Sequence, residues 1–354
     1  MKTATQSETP NLSTPAKRLG VILVIVVSLL LAALVWWIIA FQTEQERPTV
    51  YEVNGAHPGD LVPGLSFQDN LKHYGIDVDL TYSVKTNRLG FRGEEPSEDG
   101  GPVVLVVGDS FVFGMGVDTH ETFPAQLEAR LREEWPNTVV HNAGVPGYTI
   151  VDQREHWKHK LHTMRPDIVL LCHTASDLKE MSRPTSFRRM IRFDDESPDL
   201  DSELAEKIEK YDGNKRALME SEYLLTQEAL LEKLGRLKAH GALTSYRNSY
   251  IEQLGAYVKE VRTSKSTPVF GVIFWVDGYG MLDLNAAPVR RALRDRGIPY
   301  FDGDRALRSQ KEIVPEKLFL PDNHFTSTGN ELAATQAADW MKKNPLLRAR
   351  ATQK

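Results

Sequence analysis

The chain has 354 residues, 41% of them hydrophobic and 26% charged, which supplies a substantial core and excludes a protein disordered by composition. Its formal net charge of -5 gives no basic footprint, so nucleic acid is not expected as a partner. Cys172 is the single cysteine, which rules out a disulfide within the chain and leaves the redox compartment open.

In chain order, residues 1–18 are rich in Ser, Thr and Pro and read as a cytoplasmic tail. Residues 19–41 (LGVILVIVVSLLLAALVWWIIAF) carry no charge and exceed the ~20 residues that span a bilayer core as a helix, so they are expected to be a transmembrane anchor. Lys17 and Arg18 precede this run and Glu44 and Glu46 follow it. The positive-inside rule then keeps the N-terminus cytoplasmic and places everything from about residue 42 outside the cytoplasm, in the periplasm of a cell with two membranes. Trp36 and Trp37 fall where an outer aromatic belt would lie.

Residues 42–63 form a polar linker, and 64–345 are expected to make one domain, followed by a tail at 346–354. Five apolar runs in it read as strands: 103–107, 138–142, 168–172, 269–275 and 298–301. Amphipathic stretches between most of them predict an α/β fold with a five-stranded parallel sheet. The connection from the third strand to the fourth far exceeds the ~12 residues that a simple crossover needs. We read residues 184–265 as a helical insertion, helical in pattern at 202–211, 221–240 and 250–261, which either covers a substrate cleft as a lid or packs on the surface. No internal repeat is evident.

Ligands of such sheets bind beyond the carboxyl ends of the strands, and the polar clusters of this chain fall there. Asp109 and Ser110 follow the first strand, Asn142 to Gly147 the second, Ser176 and Asp177 the third, and Asp322 and His324 come after the last. A serine hydroxyl becomes a nucleophile when a neutral imidazole near it accepts its proton, and His324 is the candidate base for Ser110. An Asp322 hydrogen bond to one ring nitrogen would leave the other free to face Ser110. The backbone N–H groups of Ser110 and Gly147 could hold a developing oxyanion, since glycine lets the backbone approach closely.

These strings resemble the SGNH/GDSL hydrolase family over most of the chain beyond the anchor. Gly108-Asp-Ser-Phe-Val-Phe-Gly-Met-Gly116 matches its first block, Asn142 and Gly147 its second, and Asp322-Asn-His324-Phe-Thr-Ser-Thr-Gly329 its last; Asn87-Arg-Leu-Gly-Phe-Arg92 is similar to a segment in membrane-linked bacterial members. The resemblance implies a three-layer flavodoxin-like domain and a serine esterase with Ser110, His324 and Asp322 as catalytic residues. It implies an oxyanion hole from Ser110, Gly147 and the third block, with Asp109, Asn142 and Asp177 as substrate-binding residues. Acyl esters are the implied substrate, plausibly acetyl groups on envelope glycans or lipids. An O-acyltransferase using the same nucleophile, or a binding domain that has lost catalysis, are the alternatives.

The third block departs from the family pattern: Thr174-Ala-Ser176-Asp177 stands where the family has G-x-N-D, so Ser176 replaces the asparagine donor. A serine reaches less far, and loss of one oxyanion donor typically costs ~10²–10³ in turnover unless another group, such as His173 or Thr174, compensates. His156, His159 and His162 recur at a spacing of three rather than the i, i+4 of a shared zinc, so no metal is expected. Gly114-Met-Gly116 lacks the third glycine of a dinucleotide fingerprint, and no cofactor is expected.

Overall fold

The computed structural model describes residues 22–23, 25–33, 50, 60–74, 76–97, 100–174, 237–275, 286–308 and 315–353. The chain divides into two units, Met1–Pro48 and Thr49–Lys354. In the first, residues 25–33 are helical and present their leucine, isoleucine and valine side chains outward. No helix among the described residues is long and apolar enough to cross a membrane; the rest of the 19–41 run lies outside them.

The second unit is built on five parallel strands: β3 (Val103–Gly108), β4 (Val139–Gly144), β5 (Ile168–Thr174), β6 (Val269–Trp275) and β7 (Tyr300–Asp302), in the spatial order β4-β3-β5-β6-β7. All five follow the apolar runs of the sequence. Within β3, Val104 and Val106 face one hydrophobic cluster while Leu105 and Val107 face another, so helices cover both sides and alternation is invisible in the composition. An antiparallel hairpin of β1 (Ser66–Asn70) and β2 (Thr81–Lys85) precedes the sheet and was not anticipated by the apolar pattern. Both strands are short and mostly half-buried or exposed, with only Asp69, Tyr82 and Val84 fully buried.

The helices are α1 (Ser110–Phe113), α2 (Phe123–Arg132), α3 (Ile150–His159), α4 (Leu237–Arg262), α5 (Ala286–Asp295), α6 (Gly303–Arg308), α7 (Pro315–Leu318), α8 (Ser327–Lys343) and α9 (Pro345–Ala351). One layer packs α2, α8 and α9 on the sheet. Ala333, Ala334, Ala337 and Ala338 recur at i, i+1, i+4 and i+5 on α8, and these small residues let it lie against Leu127 and Leu131 of α2. The opposite layer is α3, α4 and α5, with Trp157, Tyr257 and Leu293 among its buried residues. Helix α4 buries Tyr250, Leu254, Tyr257, Val258 and Val261 against the sheet, so residues 250–261 are part of the crossover that returns the chain to β6. Residues 175–236, which hold the remainder of the expected insertion, lie outside the described residues.

From β3 the chain passes outward to β4 and then returns across β3 to β5. That reversal opens a crevice beyond the carboxyl ends of β3, β4 and β5, where an open α/β sheet places its ligand. The hairpin closes a third cluster there, in which Val50, Leu61, Leu71, Tyr82 and Val84 are buried with Phe113 of α1 and with Met115, Val145 and Tyr148 from the loops that follow α1 and β4.

Candidate active site

Strand β3 ends at Gly108, and α1 begins two residues later with Ser110. Asp109 makes this sharp change of direction: one carboxylate oxygen accepts the Phe111 N–H at 2.9 Å and the other accepts the Thr174 hydroxyl at 3.1 Å. The turn sits low on the sheet because its two supports lack side chains. A Cβ at Gly144 would lie 2.3 Å from the Phe113 nitrogen, and one at Gly108 would lie 2.4 Å from Val112 Cγ2. These two residues are register partners across β3 and β4, so both clearances are needed at the same level of the sheet.

His324 reaches Ser110 from the turn ahead of α8. Phe319 and Phe325 bridge in antiparallel fashion, Leu320 N–H donates to the His324 carbonyl at 2.7 Å, and Asn323 N–H donates to the Leu320 carbonyl at 2.9 Å. Asn323 sits at φ 75°, the left-handed region that asparagine tolerates better than most residues. This folds Asp322 beside His324: one Asp322 oxygen accepts the His324 N–H at 3.3 Å, and the other lies 2.8 Å from His324 Nδ1. His324 Nε2 is 2.7 Å from Ser110 Oγ. An ionised carboxylate can only accept, so Nδ1 carries the proton and Nε2 of the neutral ring accepts the serine hydroxyl. Asp322 and His324 side chains are 6% and 14% exposed, and Phe111 packs against the imidazole with ring centroids 4.9 Å apart. The base is thus held by a carboxylate on one edge and an aromatic ring on its face.

Of the other residues singled out in the sequence, Gly147 lies half-buried at φ 77° in the turn between β4 and α3. Ser176 and Asp177 lie outside the described residues. Asp109 is 3% exposed and engaged in shaping the turn, and Asn142 is also 3% exposed, donating to the Phe113 carbonyl at 3.3 Å and accepting the Gly144 N–H at 3.1 Å. Asn142 thereby braces α1 from β4, while Asp109 shapes the turn through one backbone and one side-chain partner. Of the groups named as possible compensation for Ser176, the Thr174 hydroxyl donates to Asp109, and buried His173 pairs through Nδ1 with the Tyr250 hydroxyl at 2.8 Å.

Gly144, and the bond by which Thr174 holds Asp109, position the turn in ways that the sequence did not reveal. Their signal was weak, a polar residue and a glycine at the ends of strands, and their roles depend on chain segments far away in sequence. His156 belongs to another cluster, with Nε2 3.3 Å from buried Asp60, which Lys160 also contacts. Burial works against the Asp60 charge, but the hydrogen bond and positive field of His156, reinforced by Lys160, hold its pKa below the usual carboxylate value. Among the described residues no group of three or more His, Cys, Asp or Glu is placed to hold a metal.

A strand-to-helix serine backed by histidine and aspartate, on a five-stranded parallel sheet, defines a carboxylic ester hydrolase of the serine type. The family model for GDSL-like lipases and acylhydrolases matches residues 106–332, and the chain belongs to that family. No match was found among curated proteins. Among solved structures, a G-D-S-L family protein from Desulfitobacterium hafniense DCB-2 is 13% identical, with 67% of this chain and 98% of that one covered and a TM-score of 0.41. Axe2, an acetylxylan esterase from Geobacillus stearothermophilus, is 15% identical over 68% of this chain and 94% of its own, with a TM-score of 0.41. A two-domain esterase active on acetylated mannans is 14% identical; 68% of this chain is covered but only 49% of that one, with a TM-score of 0.42.

Proposed function

We propose that the protein is a membrane-anchored, extracytoplasmic esterase that removes acyl groups, acetyl foremost, from envelope glycans or lipids. The observation that carries this reading is the continuous hydrogen-bonded relay from Asp322 through His324 to Ser110. Ser110 Oγ attacks the ester carbonyl as His324 Nε2 takes its proton, and Asp322 stabilises the resulting imidazolium. The backbone N–H groups of Ser110 and Gly147, with Ser176, receive the oxyanion. His324 then protonates the departing alcohol, and a water activated by the same imidazole releases the acid and restores Ser110.

The uncharged run at 19–41 supports a bilayer anchor, and the charges at its two ends support an extracytoplasmic catalytic domain. The test is turnover of an acetylated oligosaccharide with a labelled acetyl group by the full chain, Ser110→Ala and His324→Ala. We expect label in free acetate with the native chain and none with either variant. Unchanged turnover in folded Ser110→Ala would refute the assignment, whereas label appearing on an added glycan would redirect it to acyl transfer.

A further inference from the structure

The family match starts at residue 106, yet the segment ahead of it sends a buried cation beneath the nucleophile turn. Asn87-Arg-Leu-Gly-Phe-Arg92 forms a tight turn in which the Asn87 side chain accepts the Leu89 and Phe91 N–H groups at 3.0 and 3.1 Å. A bridge between Thr86 and Arg92 closes it. Arg92 is 1% exposed and has no ion-pair partner among the described residues. Its guanidinium instead donates to four backbone carbonyls: Phe113 at 2.9 Å, Gly114 at 2.5 Å, Val117 at 2.6 Å and Ser83 at 2.8 Å. The Phe113 ring centroid is 4.6 Å from the guanidinium carbon and that of Tyr82 is 5.6 Å away.

A helix of one turn cannot sustain itself, since nucleation fixes several residues for a single hydrogen bond. Its last carbonyls have no partners within the helix and need donors from elsewhere. In α1 the first residue is Ser110 and the carbonyls of the last residue and its cap are held by Arg92, a cation at the negative end of the helix. The same fork reaches Ser83 on β2, so one side chain fastens the nucleophile turn to the N-terminal hairpin. Burial opposes the charge and pushes the Arg92 pKa down to about 10, and the four acceptors offset that cost.

We propose that Arg92 is a positioning residue for the reaction: it fixes α1 so that Ser110 Oγ meets His324 Nε2, which makes the segment ahead of residue 106 part of the catalytic unit. This rests on the reading of Ser110 as nucleophile. A displacement of about 1 Å at a reacting group can cost ~10²-fold in rate, which sets the size of the expected effect.

The test compares Arg92→Met, Arg92→Lys and Ser110→Ala in the full chain. It reads cooperative unfolding, kcat and KM on p-nitrophenyl acetate, and the rate at which a fluorophosphonate modifies Ser110. Folded Arg92→Met should lose about 10²-fold in kcat with little change in KM, and phosphonylation should slow by the same factor; Arg92→Lys, which keeps a buried donor and charge, should recover part of both. A merely structural arginine would lower the melting temperature and leave kcat and the phosphonylation rate of the folded protein intact, and that result would overturn the proposal. If Arg92→Met fails to fold, Arg92→Lys decides: native kcat overturns the proposal, a matched loss in kcat and phosphonylation supports it. Full turnover in Ser110→Ala would remove both the nucleophile reading and this proposal, whereas an inert Ser110→Ala beside a fully active Arg92→Met would remove the proposal alone.

Discussion

At Ser110 the chemistry depends on which nitrogen of His324 holds the proton, and Asp322 decides that. Asp322→Asn presents an amide that can stabilise the wrong tautomer and cannot balance the imidazolium, so kcat should fall by roughly 10³–10⁴ with the fold intact. Steady-state kinetics beside a circular dichroism spectrum would check this. Thr174→Val removes the hydroxyl that donates to buried Asp109. The unfolding free energy should drop by about 1–3 kcal/mol, read from the denaturant midpoint, because a buried carboxylate oxygen is deprived of that bond. The Asp322–His324 pair was legible in the sequence because it is local, while the Thr174–Asp109 bond joins residues 65 apart. For the same reason the burial of Asp109 and Asn142 was not legible: polarity at a strand end is visible in sequence, and burial is not.

Among the elements, the strands of the sheet were the most legible. Each is a short apolar run bounded by polar or glycine residues, and covering both faces requires such runs. The hairpin β1–β2 escaped notice because it buries few side chains, and the packing of α4 on the sheet was not legible because its charged exposed residues mask a buried face of Tyr250, Leu254 and Tyr257. The contact between α1 and β4 gives a test at this scale. Gly144→Ala forces a methyl group to within 2.3 Å of the Phe113 nitrogen and 2.7 Å of the Val112 carbonyl carbon. Overpacking of this kind typically costs ~1–3 kcal/mol, and it should lower kcat as well, because the displaced backbone carries Ser110. Thermal unfolding and kinetics on the same sample would show both losses; a stable Gly144→Ala with native kcat would mean that α1 tolerates displacement.

The stability of the whole catalytic unit should depend on pH through His141. Burial, with a smaller contribution from Lys160, pushes its pKa down from 6.5 to about 4. Between those values the unfolded chain holds a proton that the folded chain does not, so stability rises with pH across this window and is lost as pH falls from 6.5 toward 4. The change amounts to about 3 kcal/mol at most. Glu128, whose pKa is raised by burial, acts in the opposite sense as pH rises. Urea unfolding of His141→Gln should show a shallower dependence in this window; an unchanged slope would assign the acid sensitivity elsewhere. The full chain should also sediment with membranes after a carbonate wash, and residues 49–354 alone should not.

All three scales meet in one claim, that Ser110 is an activated nucleophile. Intact-mass analysis of the full chain after incubation with a fluorophosphonate tests it most directly. A single adduct should form on the native chain and be absent from Ser110→Ala and from His324→Ala. No adduct on the folded native chain, or an adduct that survives Ser110→Ala, would contradict it.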